Sequence, residues 1–85
     1  MTQIHVHVIV YPIAGLCDVT RELDVALDEG RFRELLECLR EEFGVTFREI
    51  KEIMFLHNGC GLDISEDTVF KDGDQLWLMP KILGG

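Results

Sequence analysis

The chain has 85 residues, 47% of them hydrophobic, and carries a formal net charge of −8. That length makes one domain with a single core and little spare stability, and the apolar share excludes an unstructured chain. The acidic balance argues against nucleic acid and anionic membrane surfaces, which want lysine and arginine clusters; it suits solubility or docking onto a basic partner.

Cys17, Cys38 and Cys60 are odd in number and share no C-x-x-C spacing. They do not read as a disulfide framework, nor as a complete cysteine-based metal or iron–sulfur site. The first residues lack a basic segment, and His5 and His7 interrupt the apolar run, so no signal peptide is read. No apolar stretch approaches the length of a membrane span. The expectation is a cytoplasmic protein.

Gln3 to Tyr11 alternates, with Ile4, Val6, Val8 and Val10 on one face and His5, His7, Ile9 and Tyr11 on the other, which predicts a strand. Pro12 to Thr20, with Pro12 and Gly15, reads as a hairpin loop, and Glu22 to Leu27 as the return strand with Leu23, Val25 and Leu27 inward. After Gly30 the period lengthens. Phe32, Leu35, Leu36, Leu39 and Phe43 fall at helical spacing, with charged residues opposite, and predict an amphipathic helix of about three turns closed by Gly44. Arg31 is a weak N-cap, so the helix start is poorly signalled. Thr46-Phe47-Arg48-Glu49 matches a capping box and predicts a short second helical turn.

Ile53 to His57 reads as a central strand, Asn58-Gly59 as a hairpin turn, and Cys60 to Ile64 as its short partner strand. Ser65 to Lys71 is a connection with a turn of helix near Thr68 to Phe70. Asp72-Gly73-Asp74 is turn chemistry, because glycine supplies a positive φ at no steric cost. Gln75 to Met79 is a strand that Pro80 stops, having no N–H for a ladder. Lys81, Ile82 and Leu83 lead to Gly84-Gly85, a tail without side chains that would slide into a narrow channel and offer its carboxylate to another enzyme.

The element order predicts an α+β roll: a mixed sheet of four to five strands covered by one main helix, with the first and last strands side by side at the centre. A single domain over 1–85 would end in a flexible tail over 81–85. If Leu76 and Leu78 face the helix, alternation puts Trp77 and Met79 on the outer face with Ile9, while Ile82 and Leu83 have no obvious place in the core. Such an apolar patch reads as a docking surface. His5 and His7, with His57 or Cys60, would form only part of a zinc ligand set and read as solvated residues. Cys38 reads as a small packed hydrophobe, and no neighbouring base marks Cys17 or Cys60 as a nucleophile. Glu41-Glu42 and the carboxylates from Asp63 to Asp67 read as a solvated acidic face and not as an acid–base pair.

Asn58-Gly59, the run Asp67-Thr68-Val69-Phe70-Lys71-Asp72-Gly73-Asp74, Leu76 to Pro80 and the terminal Gly84-Gly85 together resemble the ThiS/MoaD sulfur carriers, ubiquitin-like β-grasp proteins. The match covers about the last third of the chain, and the element order fits over the rest. The resemblance implies a carrier that is not itself an enzyme and binds no cofactor. A ubiquitin-activating-type adenylyltransferase, using ATP and magnesium, would adenylate Gly85; a sulfur donor would convert it to a thiocarboxylate; an acceptor synthase subunit would take the sulfur for molybdopterin, tungstopterin or thiamine synthesis. Lys81 stands where the molybdopterin branch often has a second proline, and Tyr11 to Val19 lacks that branch's aromatic-x-x-Leu-Arg-Glu pattern, which leaves the pathway open. Two other uses of the same chain are a ubiquitin-like modifier joined through Gly85 to lysines and a β-grasp binding module with an incidental Gly-Gly.

Overall fold

In the computed structural model, which describes residues 3–45, 53–63 and 67–81, the alternating segments form strands and the longer-period segment forms the helix. The order is β1 (Ile4–Val10), β2 (Arg21–Leu27), α1 (Phe32–Phe43), β3 (Ile53–His57), β4 (Cys60–Leu62) and β5 (Gln75–Pro80). The expected helical turn at Thr46 to Glu49, the end of the β4 expectation at Ile64, and Ile82, Leu83, Gly84 and Gly85 lie outside the described residues.

β1 and β2 pair antiparallel from Ile4↔Leu27 to Val10↔Arg21. β5 lies parallel to β1 and antiparallel to β3, which continues into β4, so the sheet runs β2-β1-β5-β3-β4. The inner face supplies Val6, Val8, Val10, Val25, Leu27, Phe55, Leu76 and Leu78, and α1 covers them with Phe32, Leu35 and Leu39, all buried. Phe32 meets Phe55 and Phe70 edge to face, at 5.5 and 5.9 Å between ring centres, the geometry that aromatic quadrupoles favour. Burying side chains of this size stabilises by about 1.5–3 kcal/mol each, so this layer holds the roll together.

The helix start is where local sequence says least, and its solution comes from far along the chain. Arg31 has only donors in its side chain and cannot cap. Glu34 instead reaches back, and its carboxylate accepts from the N–H groups of Asp28, Glu29 and Arg31 at 2.9–3.0 Å. Those bonds, that from Arg31 foremost, hold Glu34 below the usual carboxylate range against the opposing effect of burial. Phe32 N–H donates to Thr68 O at 2.8 Å and Arg33 N–H to Asp67 Oδ1 at 3.3 Å, satisfying two orphan donors of the first turn. The Arg31 guanidinium then binds Asp67 Oδ2 at 3.2 Å.

Thr68 to Phe70 is therefore not helical. Its backbone is spent on α1 and on a bridge between Arg31 and Val69, with Phe70 N–H bonded to Gly30 O, and this strap carries the Phe70 ring into the core. At the other end of α1, Gly44 sits at φ 70° and its N–H donates to Arg40 O, as a left-handed cap should. Two smaller differences from the sequence reading concern Ile13, which is buried from within the loop, and Pro80, which is the last residue of β5 opposite Ile53 instead of the residue beyond it. A proline is tolerated there because no further ladder donor is needed.

Candidate functional site

β5 has two faces with different work. Leu76 and Leu78 are buried under α1, so pleating turns Trp77 and Met79 outward. The register puts Ile9 and Leu56 on either side of Trp77, and Met54 opposite Met79. Ile9, Met54, Leu56, Trp77 and Met79 are all half-buried; together they form an apolar surface on the face away from the helix. The Trp77 indole N–H within it is shielded from solvent and has no acceptor among the described residues. A buried donor left unpaired costs about 1–3 kcal/mol, which an acceptor on a docked partner would recover. Ile9, Trp77 and Met79 thus share one face, whereas Ile82 and Leu83 fall outside the described residues. Met54 and Leu56 were not singled out from sequence, although the alternation of Ile53 to His57 carried their parity.

The strand that leads to the tail is anchored at its start. Asp74 precedes β5, and its carboxylate accepts from Lys71 N–H at 2.9 Å and from Asn58 Nδ2 at 3.1 Å, with His57 Nε2 at 2.7 Å. Asn58 holds Gln75 in turn, accepting from its N–H at 2.8 Å and donating its own N–H to Gln75 O at 2.9 Å. Asn58 at φ 50° and Gly59 at φ 87° give the double positive-φ turn expected of Asn-Gly. The His57 ring also lies 4.4 Å from that of Phe70. This clamp locks the β3–β4 turn to the turn at Asp72–Gly73 and fixes the register of β5. Every partner of the Asp74 carboxylate named here is a donor, so the cluster ties the two turns together.

Burial pulls the Asp74 carboxyl upward, but the bonds from Lys71, His57 and Asn58 outweigh it and hold it below the usual carboxylate range. The sign follows: the unfolded chain takes up this proton more readily, so Asp74 stabilises the fold above about pH 3.9, and that stability is lost as pH falls through its folded value. Asp74→Asn should therefore lower the urea midpoint at pH 7, and the gap from wild type should close in strong acid. A gap that is constant with pH would assign the effect to shape and not to charge.

His5 is exposed, and His7 faces Asp24 and Glu22 across β2 at 3.2 Å, bonds that raise its affinity for a proton. Among the described residues no three His, Cys, Asp or Glu side chains are grouped to hold a metal ion. Cys38 is half-buried on α1, Cys17 is half-buried in the loop, and Cys60 is exposed at the start of β4. Lys81, the last described residue, is exposed and leaves the sheet immediately after Pro80.

No family model and no curated protein matches this chain. Among solved structures it is similar to the small archaeal modifier protein 1 of Methanosarcina acetivorans, over 100% of both chains, with a TM-score of 0.71 and 16% sequence identity. The chain has the ubiquitin-like β-grasp fold. At that identity the likeness is one of fold. No helix among the described residues is long and apolar enough to cross a membrane.

Proposed function

We propose that this chain is a sulfur carrier whose Gly85 carboxylate is activated by a ubiquitin-activating-type adenylyltransferase, with ATP and magnesium, and converted to a thiocarboxylate. The observation that carries the reading is the placement of β5: the strand is clamped at Asp74, runs through the sheet centre with Trp77 and Met79 on the apolar outer face beside Ile9, and leaves the sheet at Lys81, four residues before Gly85 in the sequence. A free carboxylate is a poor acyl donor. Attack of a Gly85 oxygen on the α-phosphorus of ATP expels pyrophosphate and gives an acyl-adenylate; hydrosulfide released by the sulfur donor then attacks the acyl carbon, AMP leaves, and loss of a proton gives the thiocarboxylate. The product's anionic sulfur is the group handed to an acceptor synthase subunit in molybdopterin, tungstopterin or thiamine-type synthesis. Ile9, Trp77 and Met79, with Ile82 and Leu83, dock the adenylyltransferase.

The similarity to the small archaeal modifier protein 1 favours a second reading, in which the same activated Gly85 is joined to lysines of other proteins. Intact mass of the protein purified from its own cells, without reducing agent, separates the two. The carrier reading expects a species heavier by the difference between sulfur and oxygen, located at Gly85 by fragmentation, absent when Gly85 is deleted and strongly reduced in Trp77→Lys. High-mass adducts in cell extract would assign the modifier role. An unmodified mass persisting after incubation with ATP and native extract would sink both and leave a binding module.

A further inference from the structure

The apolar outer face of the sheet has a charged rim on its β2 side. His7 stands opposite Asp24, and Ile9, the next outward residue of β1, stands opposite Glu22. Ile9 is in turn beside Trp77 on β5. Glu22 is therefore both an edge of the apolar face and a partner of His7. Its carboxylate lies 3.2 Å from His7 Nε2, and that of Asp24 lies 3.2 Å from His7 Nδ1. The His7, Glu22 and Asp24 side chains are 36%, 65% and 81% exposed, so changes at any of them leave the core alone.

With a carboxylate at each ring nitrogen, the geometry suits one protonation state of His7. An imidazolium donates from both nitrogens, whereas a neutral imidazole has one N–H and one lone pair. Loss of the proton leaves one carboxylate facing that lone pair, and both without a countercharge. The other neighbours supply none. On β5 they are Gln75 and Trp77, and along β1 they are Ile9 and His5, whose N–H donates to Asp72 Oδ1 at 2.8 Å. Arg21, the basic residue of β2, is held by Glu42 at 2.7 Å and over the Phe43 ring. Among the described residues no lysine or arginine pairs with Glu22 or Asp24. The bonds to Asp24 and then Glu22 outweigh burial and raise the affinity of His7 for its proton, so the change of state falls above the usual histidine value.

We propose that His7, Glu22 and Asp24 form a proton-operated gate on the docking face: when His7 is neutral, the two carboxylates take up an arginine that a partner protein presents within an apolar surface. Protonated His7 occupies the carboxylates from within and closes the gate. The proposal rests on the reading of Ile9, Trp77 and Met79 as the docking surface, and adds the partner's charge and its regulation. A guanidinium is the fitting cation, because its planar fork matches carboxylates and its stem lies along apolar groups. Binding expels the His7 proton, so affinity rises as pH climbs through the raised value. A second copy of this chain is the wrong partner, because it would bring a net charge of −8 against the first.

The test titrates the full-length, ¹⁵N-labelled chain with acetyl-Leu-Arg-Leu-Phe-amide, and with the same peptide carrying uncharged citrulline for arginine. Saturable shifts are expected at Ile9, Trp77 and His7. Affinity should be about two- to fivefold higher at about pH 8.5 than at about pH 5.5, the worth of one exposed ion pair. The citrulline peptide should bind alike at both. The His7 ring signals should titrate at lower pH with the arginine peptide bound, and also in the free double variant Glu22→Gln, Asp24→Asn. His7→Gln should bind the arginine peptide alike at both pH values. The gate is overturned by tighter binding in acid, by a pH dependence that survives in His7→Gln or with citrulline, or by an unmoved His7 titration. Absence of shifts at Ile9 and Trp77 overturns the docking surface with it. None of these readouts involves ATP or the Gly85 carboxylate, so a missing thiocarboxylate would sink the carrier reading and leave the gate standing.

Discussion

Replacing Phe70 with alanine should lower the stability of the domain by about 3–5 kcal/mol, read from the urea midpoint at constant slope. Against a total of about 5–15 kcal/mol for domains in general, that removes from about a fifth to all of the stability. The size of the effect comes from where the ring sits. Phe70 is 1% exposed, packs edge to face on Phe32 and lies against His57, so one truncation removes contacts to the helix and to the β5 clamp together. It also loosens the strap from Asp67 to Phe70 whose backbone and carboxylate terminate α1. Amide exchange should accordingly speed up first at Phe32 and Arg33. A loss below about 1 kcal/mol would mean that the strap is held by its backbone bonds alone.

Gly30→Ala should cost about 2–4 kcal/mol. Gly30 has φ +73°, and a methyl group there would lie 2.7 Å from Phe70 O and 2.7 Å from Ile4 Cδ1. The isoleucine tip can rotate away. The Phe70 carbonyl is backbone, in the same strap whose N–H is bound to Gly30 O, and cannot retreat without breaking that closure. Gly15→Ala is the control: φ is +83° but nothing lies within 4 Å, so only the left-handed penalty of about 1–2 kcal/mol applies. Equal midpoints for the two variants would show that the close approach contributes nothing.

These two positions also mark the limit of what could be read from the residues. β1, β2, α1 and the Asn58-Gly59 turn are announced locally, by a period of two, by helical spacing and by a dipeptide suited to positive φ; the structure places them where those signals stand, within a residue or two. The outward placement of Ile9, Trp77 and Met79 follows from the same parity. The strap does not, because its meaning lies in its partners: Asp67 caps a helix start 34 residues earlier, and Thr68 to Phe70 viewed alone suggested a helical turn. Cross-strand register is invisible in the same way, and so Met54 and Leu56 entered the apolar face only when Trp77 and Met79 were seen opposite them.

The parallel pairing of β1 with β5 has a mechanical consequence. Tension applied between the start of β1 and the end of β5 runs along two adjacent strands that would have to slide past each other. The bonds from His7 to Asp74 and from Tyr11 to Leu78 are then loaded at once, in shear, and not peeled one after another. Forced unfolding is governed by the rate of crossing such a barrier. A pull exerted through the tail meets the molecule along its strongest line, whereas one exerted on the β3–β4 hairpin would unzip it from the edge.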